Sequence, residues 1–111
     1  MKVKTDPSGV VVIAPKGRLT GGSETDELKQ EIERVVAEGI TKCVIELSET
    51  IYLNSTALGL LVSAHKKFID RGGKLKLSGV NKNIDNILVI TKLSLVFEVF
   101  DTEAEALASF K

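Results

Sequence analysis

Three small polar residues stand side by side at the predicted start of the second helix: Asn54, Ser55 and Thr56. No acidic residue follows them until Asp70, so nothing in this helix neutralises the positive end of its dipole. A helix start of this kind has free backbone N–H groups and suits an anion. The pattern indicates that Ser55 could accept a phosphate group, which would add about −1.5 to −2 charges at this point.

The other three predicted helices start differently. Each carries acidic residues in or next to its opening turn: Glu24, Asp26, Glu27, Asp85, Asp101, Glu103 and Glu105. Asn, Ser and Thr are also ordinary helix caps, however, and a cap contributes on the order of 1 kcal/mol to stability without any further role. The helix start by itself therefore leaves two interpretations open, an anion site and a plain cap.

Two neighbouring features favour a functional role for this helix start. Gly59 lies in the first turns of the helix, where a glycine costs about 0.5–1 kcal/mol relative to alanine. Close backbone approach by a strand or a partner would explain it. Tyr52 and Leu53 lie just before the cap, in what we predict to be a loop between a strand and the helix. Such loops at the carboxyl ends of parallel strands are where ligands and partners bind, so Tyr52 is either a contact residue or half-buried.

Groups that could catalyse a reaction are sparse. The single histidine, His65, is predicted to lie mid-helix, with no cysteine or carboxylate at a telling spacing. One histidine and one cysteine cannot build a structural zinc centre, and no acidic loop resembles a calcium site. Neither glycine-rich phosphate-binding motif is present. We expect a binding protein that is not an enzyme and has no metal or cofactor.

The composition indicates one ordinary globular domain over residues 1–111. Hydrophobic residues make up 43% of the chain, and 15 basic residues balance 15 acidic ones. With no net charge, the chain has no broad electrostatic attraction for nucleic acid or a membrane surface. The lone cysteine, Cys43, cannot form an internal disulfide, and no signal segment or spanning run of about 20 apolar residues is evident. We expect a cytoplasmic location.

The chain alternates between strand and helix patterns, which predicts an α/β fold. We expect strands at residues 2–5, 10–15, 43–47, 74–77 and 97–100, with the strand at 74–77 exposing one face to water. We expect helices at 23–38 (capped by Ser23) and 55–69, a short one marked by Ile84, Ile87, Leu88 and Thr91, and a C-terminal one capped by Asp101 or Thr102. The turn Asp6-Pro7-Ser8-Gly9 predicts an antiparallel opening hairpin, and helical crossovers make the remaining strands mainly parallel.

Several motifs in the right order resemble the STAS domain family, the anti-sigma factor antagonists. The stretch 52–59, Tyr-Leu-Asn-Ser-Thr-Ala-Leu-Gly, is similar to the family's D-S-[ST]-G-L-G segment, and it follows the strand 43–47. Residues 71–77 resemble the family's R-G-G strand, residues 17–20 its G-x-L-D turn, and residues 89–93 with Phe97 its late helix and loop. The resemblance implies a STAS fold, a mixed sheet of four to five strands with four helices packed mainly on one side.

The resemblance also implies a partner-switching mechanism of transcription regulation. In this family the unphosphorylated protein binds an anti-sigma factor, a GHKL-type serine kinase, and the sigma factor is released. The kinase phosphorylates the serine at the helix start, which breaks the complex, and a PP2C-type phosphatase restores it. Carried over, Ser55 is the phosphoacceptor, and the partner surface comprises Thr20, Tyr52, Asn54, Ser55, Thr56 and Ala57.

The chain departs from the family's usual pattern at three of these positions. Asn54 and Thr20 stand where aspartate is usual, and Ala57 stands where glycine is frequent. Thr56 offers a second hydroxyl as an alternative acceptor. Two other functions stay open: a non-switching STAS scaffold in a larger signalling or lipid-transport complex, in which Ser55 is only a cap, and a small-molecule or nucleotide binder that holds phosphate at the helix start.

Overall fold

Strands and helices alternate along the chain in the computed structural model, which describes residues 1–111. The strands are β1 (Lys2–Thr5), β2 (Val11–Ala14), β3 (Gly17–Leu19), β4 (Lys42–Glu46), β5 (Thr50–Leu53), β6 (Lys74–Ser78) and β7 (Val99–Phe100). The α-helices are α1 (Ser23–Ala37), α2 (Ser55–Asp70), α3 (Lys82–Ile90) and α4 (Glu103–Ala108), with a short 3-10 helix at Leu93–Leu95.

Five strands form the main sheet in the order β1-β2-β4-β6-β7. β1 and β2 pair antiparallel, and the other neighbours pair parallel, so the predicted mixed α/β fold is confirmed. The opening hairpin turns where the sequence predicts, because the Asp6 carboxylate accepts hydrogen bonds from the backbone N–H groups of Ser8 and Val10 at 3.0 and 2.9 Å. Connections through helices separate the parallel strands along the chain, as expected for parallel pairing.

A second, two-stranded parallel sheet of β3 and β5 was not predicted. Its strands have three and four residues, too few to show an alternating pattern. Tyr52 and Leu53 therefore lie in a strand and not in a loop, which corrects the sequence-based interpretation. Thr50 ties this sheet to the end of β2, because its hydroxyl donates to the carbonyl of Pro15 at 3.0 Å.

The main core lies between one face of the five-stranded sheet and helices α1, α2 and α3, in a cluster of 21 buried residues. The face of α2 that points into it carries Ala57, Leu58, Leu61, Ala64 and Phe68. α4 alone covers part of the opposite face, over a smaller cluster of four buried residues that includes Ala106. The helices thus pack mainly on one side of the sheet, as predicted.

Two local expectations are wrong. Gly22, and not Ser23, is the N-cap of α1, because the chain turns into the helix one residue earlier. The strand β6 lacks the predicted continuous water-exposed face: Lys74 is exposed, but Lys76 is only 4% exposed, since α4 and the residues after it cover it. The Lys76 ammonium lies 2.8 Å from the Ser109 hydroxyl, 3.2 Å from the Glu98 carboxylate and 4.3 Å from the centre of the Phe110 ring.

Cys43, the only cysteine of the chain, belongs to the core. Its side chain has no exposed surface, and burial raises the pKa of its thiol to about 12, with a smaller contribution from the nearby Glu31 carboxylate. The thiol is therefore neutral at physiological pH and cannot act as a nucleophile. None of the helices is long and apolar enough to cross a membrane.

Candidate functional site

The start of α2 sits at one end of the small sheet of β3 and β5. Leu19 and Leu53 are register partners and are buried in the core, so the residues that follow them leave the sheet at the same edge. The backbone N–H of Asn54 donates to the carbonyl of Leu19 at 3.1 Å. Parallel pairing of two short strands thus brings Thr20 next to the helix start, although the two segments are 34 residues apart.

The side-chain amide of Asn54 joins these two segments with both of its ends. Its Oδ1 accepts from the backbone N–H of Ala57 at 3.0 Å, which caps α2. Its Nδ2 donates to the backbone carbonyl of Thr20 at 2.9 Å. Aspartate could make only the first of these bonds, because a carboxylate has no N–H to donate. Asn54 therefore fixes both the helix start and the turn beside it.

Ser55 is the first residue of α2 and is exposed to solvent. The side-chain hydrogen bonds of this helix start are those of Asn54, and the Ser55 hydroxyl takes part in neither. The first turn contains no acidic residue, and the first N–H groups of a helix have no partner within it. Ser55 thus presents a hydroxyl that makes no side-chain hydrogen bond within the chain. It does so at a helix start that Asn54 holds in place, where added negative charge is favourable.

Thr56 is exposed beside Ser55 and faces the turn that follows β3. Gly21 has a φ of +93° there, and a Cβ atom on it would lie 3.6 Å from the Thr56 methyl carbon. The Gly21 N–H donates to the Thr25 hydroxyl at 2.9 Å, which holds this turn against the start of α1. The turn and the first turn of α2 therefore form one continuous surface.

Tyr52 lies on the exposed side of the small sheet. Its side chain is 38% exposed, and its register partner on β3 is Arg18, which is also exposed. Ile51, 54% exposed, precedes it. The exposed face of the small sheet that leads into Ser55 thus carries an aromatic ring and an arginine, two residue types that are enriched at protein interfaces.

Asn81 supports β5 from the side opposite β3. Its Oδ1 caps α3 by accepting from the N–H of Ile84 at 2.8 Å. Its Nδ2 donates to the carbonyls of Ile51 and Thr50 at 3.1 and 3.3 Å. The strand that leads into Ser55 is therefore held on both sides, by β3 and by a helix cap.

Five of the six predicted partner-surface residues meet at this edge and keep exposed or partly exposed surface: Thr20, Tyr52, Asn54, Ser55 and Thr56. Ala57 is the exception. It is fully buried against the core, so it cannot line a partner surface, and its part is to pack and to donate its N–H to Asn54. The sequence interpretation left out Arg18, Gly21 and Asn81. The asparagine before an apolar helical pattern was the one available signal for Asn81.

The single histidine of the chain lies away from Ser55. His65 is ten residues after Ser55 on the same helix, which separates the two by about 15 Å along the axis. Its ring packs against Phe97 at 5.1 Å between centroids. His65 is therefore too far from Ser55 to act as its base.

Comparison with known proteins identifies the family. The model of the STAS domain matches residues 2–106. The chain belongs to the STAS domain family. A protein of Thermotoga neapolitana named as a candidate anti-sigma factor antagonist is 28% identical over 98 residues, which cover 88% of this chain and 87% of that protein. The anti-sigma-B factor antagonist of Listeria monocytogenes is 37% identical over 70 residues, which cover 63% of this chain and 60% of that protein.

Solved STAS structures share the fold. The phosphorylated form of the Bacillus cell fate determinant SpoIIAA superposes with a TM-score of 0.79 at 16% identity, over 99% of this chain and 98% of that one. The STAS domain of a SulP transporter from Vibrio cholerae superposes with a TM-score of 0.75 at 21% identity, over 95% and 83% of the two chains. At these identities the likeness concerns the fold alone, and that fold occurs in both a regulator and a transporter domain.

Asn54→Ala is expected to lower the free energy of unfolding by about 1–2 kcal/mol, because the substitution removes the cap of α2 and the bond to Thr20 together. Urea unfolding followed by circular dichroism measures this loss. Asn54→Asp keeps the cap and loses only the bond to Thr20, so it should retain most of the stability. If both variants lost the same amount, the cap would contribute nothing.

Proposed function

We propose that this STAS domain is an anti-sigma factor antagonist that is switched off by phosphorylation of Ser55. The unphosphorylated chain binds an anti-sigma factor of the GHKL serine kinase type in the cytoplasm, and the sigma factor is released. Kinase action on Ser55 ends the complex, and a PP2C-type phosphatase reverses it. The observation that carries the proposal is the free, exposed hydroxyl of Ser55 on a helix start without acidic neighbours.

The geometry supports a switch that needs no change of shape. Ser55 lies on a base fixed by Asn54, Thr20 and Asn81, so a phosphate added to it changes charge and not backbone conformation. A phosphate at a helix start is well tolerated in the free protein. A partner that packs closely on Ser55 would have to desolvate that dianion, and the complex would weaken although the antagonist itself stays folded.

Phosphorylation by the partner kinase is the direct test. With ATP and the kinase, we expect one phosphate per chain, located on Ser55 by mass spectrometry of peptides. Ser55→Ala should take up none. Thr56→Ala is the matched control for the identity of the acceptor, since it removes the neighbouring exposed hydroxyl and should still take up one phosphate on Ser55. Phosphate found on Thr56 in the wild-type protein would show that Thr56, and not Ser55, is the phosphoacceptor.

A STAS scaffold without a switch is the second candidate, because the same fold serves in a SulP transporter domain. In that case Ser55 is only the first residue of a capped helix. The scaffold is favoured if Ser55 stays unmodified with every serine kinase that the chain binds. Pull-down of a transporter or of a multi-protein signalling complex by the Ser55→Ala and Ser55→Asp variants alike would point the same way.

A further inference from the structure

Gly59 is the one glycine of the chain that the fold does not explain. Of the other eight, six have a positive φ, which favours glycine over any other residue. Gly73 lies against the backbone of Thr41, where a Cβ would clash, and Gly22 is the N-cap of α1, a position where glycine is acceptable. Gly59 lies inside α2, and a Cβ on it would meet nothing within 4 Å.

A glycine at such a position weakens the helix, and no contact within the chain requires a residue without a side chain there. Among residues without a ring it is the poorest helix former, and alanine would fit the open space at Gly59 without any shift. The expectation that a strand of this chain approaches Gly59 is wrong, because no atom of the chain is near enough. The remaining explanation is that a partner protein approaches the backbone of α2 at Gly59.

The position of Gly59 indicates what approaches it. It follows Ser55 by four residues, so the two lie on the same exposed face of α2, about 6 Å apart along the axis. Val62, 37% exposed, continues this face one turn further. A stable protein partner covers about 800 Å² of each surface. A kinase that reaches the Ser55 hydroxyl therefore also covers Gly59.

We propose that Gly59 is a docking seat at which the anti-sigma factor kinase packs directly on the α2 backbone, between Ser55 and Val62. The proposal rests on the proposed function and adds a residue that is neither modified nor a cap. A side chain at this position would hold the partner away from the helix and, through it, away from Ser55. The face Ser55, Gly59 and Val62 then forms the second half of the interface, beside the surface of Tyr52 and Thr20.

The test is a pair of substitutions whose effects on folding and on binding have opposite signs. Gly59→Ala should raise the melting temperature by roughly 4 °C, because alanine stabilises an exposed helix. The same variant should bind the kinase that phosphorylates Ser55 about tenfold more weakly, and Gly59→Leu about 100-fold more weakly, as measured by calorimetric titration. The rate of Ser55 phosphorylation at low substrate concentration should fall in parallel.

Ala37→Leu is the matched control, because it places the same leucine side chain at an exposed position of α1, away from the helix start that carries Ser55. It should bind as the wild type does. If Gly59→Ala and Gly59→Leu bind normally while Ser55→Asp does not, the seat is refuted and the switch stands. A wild-type protein that binds no anti-sigma factor kinase refutes both. A Gly59→Ala protein that melts below the wild type refutes the seat, since glycine then serves the fold.

Discussion

Ser55→Asp is expected to weaken binding of the anti-sigma factor kinase by about 100-fold or more, whereas Ser55→Ala binds as tightly as the unmodified protein. A carboxylate at the centre of a packed interface is desolvated without a partner, which costs about 2–5 kcal/mol, and each 1.4 kcal/mol is about tenfold in affinity. Alanine removes only a hydroxyl that makes no hydrogen bond within the chain. Calorimetric titration of both variants with the kinase measures the difference.

The stability of Ser55→Asp separates this explanation from misfolding. Aspartate at the first residue of α2 meets the positive end of the helix dipole, which is worth about 0.3–1 kcal/mol. The variant should therefore melt at the same temperature as the wild type or slightly above it while binding is lost. Ser94→Asp, at an exposed serine of the 3-10 helix, is the control for charge alone and should bind normally. Equal affinity of the Ser55→Ala and Ser55→Asp variants would end the switch hypothesis.

The longer elements were predictable because each repeats its pattern. α2 begins at Ser55 as predicted, since four core-facing residues recur at helical spacing after a capping residue: Leu58, Leu61, Ala64 and Phe68. The hairpin of β1 and β2 was predictable from one turn of four residues, in which Asp6 supplies the hydrogen bonds. In both cases the signal lies within a few residues of the structure that it determines.

The small sheet and the buried lysine were not predictable for the opposite reason. β3 and β5 are stabilised by pairing across more than 30 residues, and neither has a pattern of its own. Lys76 is charged and alternates with two leucines, which normally indicates an exposed face. Its burial depends on Ser109 and Phe110, which a short C-terminal helix brings over the sheet. Tertiary contact thus overrides the local pattern.

In the candidate site, too, the features set by neighbouring residues were predictable and those set by distant residues were not. Ser55 and its acid-free helix start could be identified from adjacent residues, and the STAS resemblance supplied the role. The second bond of Asn54, to the Thr20 carbonyl, could not be inferred, because it depends on the pairing of β3 with β5. The same pairing places Arg18 beside Tyr52. The sequence therefore predicts which residue is the candidate acceptor, and the fold shows what surrounds it.

Gly73→Ala is expected to be the most damaging of these substitutions to stability, although the residue lies beyond the opposite end of α2 from Ser55. A Cβ on Gly73 would clash with the backbone carbonyl oxygen of Thr41, a contact that only a shift of the backbone can relieve. That oxygen also accepts the N–H of Lys74 at 2.9 Å, at the start of the pairing between β4 and β6 in the centre of the sheet. We expect a loss of about 3 kcal/mol in the free energy of unfolding, and a fall of roughly 10 °C or more in melting temperature.

Chemical unfolding of Gly73→Ala and of Gly59→Ala, side by side, compares the same substitution at two different positions. Both replace glycine by alanine in or just after α2, but one Cβ meets backbone atoms and the other meets open space. The first should lose stability while the second gains it, with the denaturant dependence of both unchanged. At a temperature where it remains folded, Gly73→Ala should still be phosphorylated on Ser55, because the start of α2 is fixed by β3, β5 and Asn54 and not by Gly73. A Gly73→Ala protein as stable as the wild type would show that β6 can move away from Thr41 at little cost.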